Sequence, residues 1–125
     1  LIAEHGIAWL LPRLIGEAKA LDLLLSARIF KGVEAEILGL VNKSLSAEEL
    51  EDFVENYTKH LVERVSPRSM TIMKRQIRAG YSQTFSKSLE IADKEMFLSF
   101  EQDDFKEGVE SFVENRAPNF RGIGT

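Results

Sequence analysis

The chain has 125 residues, 44% hydrophobic and 29% charged, an ordinary balance for one modest globular domain. A net charge of −4 argues against a general nucleic-acid footprint, and the lack of cysteine excludes a disulfide framework and thiolate metal sites. No apolar run reaches membrane-spanning length, because Arg13, Glu17, Lys19 and Asp22 interrupt the best candidate, so no membrane insertion is expected.

The pattern predicts a mostly helical chain. Residues 4–14 form the first predicted helix, with Ile7, Trp9, Leu10, Leu11 and Leu14 apolar on more than one face, hence well buried. Gly16 breaks it. Residues 17–26 carry Ala18, Leu21, Leu24 and Leu25 at helical spacing. Residues 33–38 suit two short helical turns stopped by Gly39 as a C-terminal glycine cap. Residues 40–45 are the one good strand candidate. "SAEE" then sets Ser46 as N-cap with Glu49 three residues on, a capping box. The helix behind it is expected to bury Leu50, Phe53, Tyr57, Leu61 and Val65. Ser66 caps the next helix, with Pro67 at its first position and Met70, Met73 and Ile77 along it, up to Gly80. Phe85, Leu89, Ala92 and Met96 line another. Asp104 and Glu107 form a second box-like start, with Val109, Phe112 and Val113 facing inward and Arg116 and Pro118 closing the helix.

A composition change near Ser66 divides the chain into 1–65, which includes the strand, and 66–125, which is helical only. A lone short strand cannot form a sheet. The late helices are also too amphipathic to satisfy each other. Both features predict neighbouring chain, partner subunits, or both. The first residue is leucine rather than methionine, so a fragment of a longer protein is expected.

Five stretches occur in the order of one family: "EHGIAWLLPRLIG", "AKALDLLLSARIF", "AEILGLVNK", "SPRSMTIMK" and "EGVESFVENRAPNF". Together they resemble the crotonase superfamily, the enoyl-CoA hydratase/isomerase family, over its C-terminal half. The resemblance implies an α/β fold, a spiral of ββα turns followed by a helical trimerisation region. Residues 1–65 then belong to the spiral core and 66–125 to the oligomerisation region. It implies an enzyme acting on acyl-CoA thioesters, with coenzyme A as part of the substrate and no separate cofactor. An enolate develops on the thioester oxygen and is held by two backbone N–H groups, such donors contributing several kcal/mol. In the family these donors precede the position matching Leu1, so this stretch by itself is expected to lack the oxyanion hole. The two glutamates of family hydratases also precede it, so hydration and double-bond migration both stay open. A homotrimer or dimer of trimers is implied. The compartment expected is the cytoplasm, with the mitochondrion left open.

The resemblance singles out Glu4, eight positions before Pro12, where relatives such as dienoyl-CoA isomerases carry an acidic residue, usually aspartate, as base or nucleophile. A carboxylate at the edge of an apolar pocket can shuttle a carbon-bound proton. The plainer reading is a solvated first-turn glutamate favoured by the helix dipole. His5 is either its acid/base partner or a surface or capping histidine. His60 reads as solvated, and the two histidines give no metal site. Trp9 either walls the acyl pocket or packs in the core. "KRQIR", residues 74–78, either attracts coenzyme A phosphates or forms a wet helix face. In some relatives an aromatic of the penultimate helix and a lysine near the end of the last helix reach a neighbouring subunit's coenzyme A. The matching positions hold Met96 or Phe97, and Asn115, with Arg116 adjacent and able to supply the charge. Trp9, Phe97 and Arg116 are thus the substrate-binding candidates. The alternative is a non-catalytic chain that keeps the helices as an oligomerisation module.

Overall fold

A computed structural model describes residues 2–122. Seven helices follow one another among them: α1 (Ile7–Ile15), α2 (Glu17–Ser26), α3 (Gly32–Leu38), α4 (Ala47–Arg64), α5 (Pro67–Gly80), α6 (Phe85–Phe100) and α7 (Asp103–Val113). They group into two compact units, Leu1–Asp52 and Phe53–Thr125, the division falling within α4.

In the first unit α1 and α2 form a hairpin. Gly16, at φ 84°, makes the corner, a conformation that side chains on other residues disfavour. Leu11, Ile15, Ala20 and Leu23 are buried, with Ile7, Leu24, Phe30, Leu38 and Leu40 packed against them. α3 ends as the glycine cap requires: Gly39 takes φ 86°, and the Leu40 N–H donates to the Ala35 carbonyl at 2.9 Å.

The strand predicted over residues 40–45 is not present, and no strand occurs among the described residues. The reason lies in Glu36. Its carboxylate accepts from Lys43 Nζ at 2.8 Å and from the Ser44 N–H at 2.8 Å, bending the segment back onto α3. A ladder would need that Ser44 donor. The described residues are therefore all-α, and the α/β class inferred from the family resemblance is not visible in them.

The capping box at α4 forms as predicted. The Glu49 N–H donates to Ser46 Oγ at 3.3 Å, and the Ser46 N–H to the Glu49 carboxylate at 3.2 Å. The stripe expected to be buried on α4 is open along most of its length: Leu50, Phe53 and Tyr57 are exposed, Leu61 and, just beyond the helix, Val65 are half-buried, and α4 has no buried residue.

In the second unit α5 packs on α6 and α6 on α7. Ser66 caps α5, its Oγ accepting from the Ser69 N–H at 3.0 Å, with Pro67 at the first turn. Thr84 caps α6 by accepting from the Lys87 N–H at 3.2 Å. Phe100 meets Phe105 edge to face, ring centroids 5.1 Å apart. The second box predicted at Asp104 and Glu107 does not form. Asp104 accepts instead from the Ser66 hydroxyl and the Arg68 N–H, tying α7 to the start of α5. Glu107 is taken by the chain beyond α7. Val109, Phe112 and Val113, expected to face inward, are exposed, Phe112 at 86%.

Candidate functional site

The first unit carries Glu4 and Trp9, the second Phe97 and Arg116. Glu4 does not lie in a helix. α1 starts three residues later than predicted, and its first turn holds no acidic residue. The dipole-favoured first-turn reading of Glu4 is therefore set aside. The Glu4 carbonyl accepts from the Ile7 N–H at 3.1 Å, closing a reverse turn over residues 4–7. Both inner positions are left-handed: His5 at φ 54° and Gly6 at φ 79°, ψ 13°. That positive-φ pair is what a type I′ turn requires. The Gly6 carbonyl then accepts from Trp9 and Leu10 N–H groups at 3.0 and 3.1 Å, which starts α1. His5 Nε2 stands 3.9 Å from the Glu4 carboxylate, with side chains 96% and 56% exposed. Glu4 is thus an accessible carboxylate at a sharp corner where α1 begins.

One turn on, Trp9 is half exposed, not the core aromatic its apolar neighbours suggest. Arg13 stacks on it, the guanidinium carbon 3.9 Å from the ring centroid, and donates from Nη1 to the Trp9 carbonyl at 2.7 Å. The corner and this stacked pair lie on the same short stretch of chain.

In the second unit Phe97 is 64% exposed on α6 and touches Phe100 edge to face at 6.2 Å. Arg116 has a different setting. Its Nη1 and Nη2 donate to the two Glu107 carboxylate oxygens at 2.5 and 3.0 Å, and its Nε to Glu114 at 2.6 Å. These two carboxylates raise the pKa of Arg116 further above its ordinary value. Glu107 also accepts from the Asn119 N–H at 2.6 Å. The Arg116 hydrogen bonds first, and this backbone donor second, pull the Glu107 carboxyl down to about 2. Asn115, at φ 52°, ends the helix, and the Arg116 N–H donates to the Ser111 carbonyl at 3.0 Å, as in a Schellman motif. The chain so reversed runs back beside α7. Arg116 is thus committed to two carboxylates of its own chain.

Of "KRQIR", Lys74, Arg75 and Arg78 are exposed, and Arg75 pairs with Glu95. Glu95 also meets Arg68 Nη2 at 3.4 Å, while Arg68 Nη1 donates to Ser99 Oγ at 2.6 Å, so this polar knot pins α5 to α6. His60 is exposed. Among the described residues no group of three or more His, Asp or Glu is arranged to hold a metal, and no helix is long and apolar enough to cross a membrane. Sequence reading missed the Glu107–Arg116–Asn119 cluster and the Glu95 knot. Both join residues too far apart for helical periodicity to relate.

The profile of the enoyl-CoA hydratase/isomerase family matches residues 1–123. A probable enoyl-CoA hydratase of Bacillus subtilis is 35% identical over 115 residues, 90% of this chain and 43% of its own length. The 1,2-epoxyphenylacetyl-CoA isomerase of Escherichia coli is 28% identical over 98% of this chain and 46% of its own. The crystal structure of an enoyl-CoA hydratase from Bacillus anthracis superposes with a TM-score of 0.87 at 25% identity, covering 98% of this chain and 47% of that one. The chain spans about half the length of these relatives. With motifs, profile and superposition in agreement along its length, the chain belongs to the enoyl-CoA hydratase/isomerase family, the crotonase superfamily.

Proposed function

We propose that the intact natural protein carrying this chain acts on acyl-CoA thioesters as an enoyl-CoA hydratase or isomerase, with Glu4 as acid/base. The family match over residues 1–123 carries this reading. The exposed Glu4 carboxylate, paired only loosely with His5 at 3.9 Å, is consistent with it. In double-bond migration Glu4 would remove a proton from the acyl chain. The electron pair delocalises onto the thioester oxygen as an enolate, and the same carboxyl, exposed enough to exchange its proton with water, returns a proton at a second carbon. Trp9 is the aromatic we assign to the acyl end, and Phe97 the one we assign to the coenzyme A of a neighbouring subunit. Arg116 supports this end of the chain through Glu107 rather than by meeting the ester. The test is turnover of Glu4→Gln on a panel of enoyl-CoA esters. A loss of about 100-fold or more supports Glu4 as acid/base. Turnover within a few-fold of wild type removes it.

A second reading concerns assembly. Phe85, Ile77, Phe112 and Val113 are exposed apolar side chains on α5, α6 and α7. Exposed apolar surface of this kind favours burial between subunits. We propose that residues 66–125 form the interface of a homotrimer or a dimer of trimers.

A further inference from the structure

We propose that the reverse turn at residues 4–7 positions the acid/base: the left-handed backbone of His5 and Gly6, not the His5 imidazole, directs the Glu4 carboxylate. This rests on the reading of Glu4 given above. Three observations carry it. First, two consecutive residues take positive φ, 54° at His5 and 79° at Gly6, and one of them is not glycine. Left-handed backbone on a residue with a side chain persists only where the surroundings hold it, and it gathers at functional sites. Second, the turn is closed by its own Glu4–Ile7 hydrogen bond at 3.1 Å, and Gly6 supplies the carbonyl that starts α1. Glu4 is therefore fixed to the start of α1 three residues away, although it is outside the helix. Third, the imidazole is 96% exposed and 3.9 Å from the carboxylate, too open and too far for a directing hydrogen bond. What His5 contributes is tolerance of the left-handed region, which histidine enters more readily than most residues.

The environment of Gly6 makes a clean probe. A Cβ added there meets nothing within 4 Å, so Gly6→Ala opposes the turn without a clash. The experiment uses the intact natural protein with an enoyl-CoA ester that it turns over, and compares Gly6→Ala, His5→Gly, His5→Val and Glu4→Gln for kcat and KM. His5→Gly deletes the imidazole and keeps the turn. His5→Val opposes the left-handed backbone. We expect His5→Gly to keep kcat within two- to three-fold of wild type. We expect Gly6→Ala and His5→Val to lower kcat about ten-fold or more with KM nearly unchanged, in samples whose folded fraction by circular dichroism matches wild type, so that loss of folded enzyme does not account for the drop. If His5→Gly loses as much as His5→Val, the imidazole matters and the backbone proposal is wrong. It is equally overturned if both turn-opposing variants keep wild-type kcat while Glu4→Gln is inactive, a result that leaves the acid/base reading standing. Should Gly6→Ala fail to fold, the pair of His5 variants decides. A fully active Glu4→Gln removes the acid/base reading itself and this proposal with it.

Discussion

Glu107 holds Arg116 with both carboxylate oxygens, at 2.5 and 3.0 Å, and the same carboxylate holds the Asn119 backbone N–H at 2.6 Å. One side chain thus latches the chain beyond α7 onto the helix it has just left. The latch has a pH signature. The Glu107 carboxyl is lowered from 4.5 to about 2, so the folded state favours its ionised form. Its contribution is fully present above the unfolded value of 4.5 and is lost as pH falls toward about 2. Thermal melts of wild type and Glu107→Gln between pH 7 and pH 2 check this. The variant is expected to melt lower at neutral pH and to show a shallower loss in acid. Parallel curves for the two proteins would contradict the latch.

Arg116 is the residue for which the sequence and the geometry suggest different work. Its place beside Asn115 suggests a coenzyme A contact, whereas its guanidinium lies between Glu107 and Glu114. Surface pairs of single charges are worth little, but a bidentate arginine shared by two carboxylates and joined to a backbone donor is a small network. Arg116→Ala is expected to lower the melting temperature while KM for the acyl-CoA ester stays within about two-fold. A several-fold rise in KM with unchanged stability would return Arg116 to the substrate site.

Local signals in the sequence were legible where three or four residues decide the outcome. Ser46 and Glu49, Ser66 with Pro67, and Gly39 at φ 86° all do what their spacing requires, because each acts on the backbone of its own turn. Asp104 and Glu107 have the same spacing rule and fail it. Ser66, Arg68 and Arg116 compete for those carboxylates from elsewhere in the chain. Residues 40–45 read as a strand by composition, yet Glu36 captures the Ser44 N–H that a ladder would need. The late start of α1 depends on two positive φ values, and histidine gives no strong warning of one. Glu4 was singled out by family resemblance and its immediate setting by geometry. What sequence could not supply is which distant carboxylate each arginine reaches.

The exposed apolar side chains of α5, α6 and α7 lead to a prediction about assembly. Phe112 is 86% exposed and its neighbour Val113 is also open. Burial of such side chains between subunits is worth about 1.5–3 kcal/mol each, so a charge placed at Phe112 is costly to the assembly. Sedimentation or light scattering of the intact protein at micromolar concentration is expected to give a trimer or hexamer, and Phe112→Glu a smaller species. A wild-type monomer at that concentration would remove residues 66–125 as an interface.

The acid/base role proposed for Glu4 is the movement of a proton on carbon beside a thioester. The direct measurement is solvent deuterium uptake into a bound acyl-CoA ester, followed by mass spectrometry in heavy water, with wild type and Glu4→Gln compared in the intact natural protein. Rapid incorporation at carbon is expected with wild type and a loss of about 100-fold or more with Glu4→Gln, the range that a positioned acid/base supplies. Equal incorporation by the two proteins would contradict it.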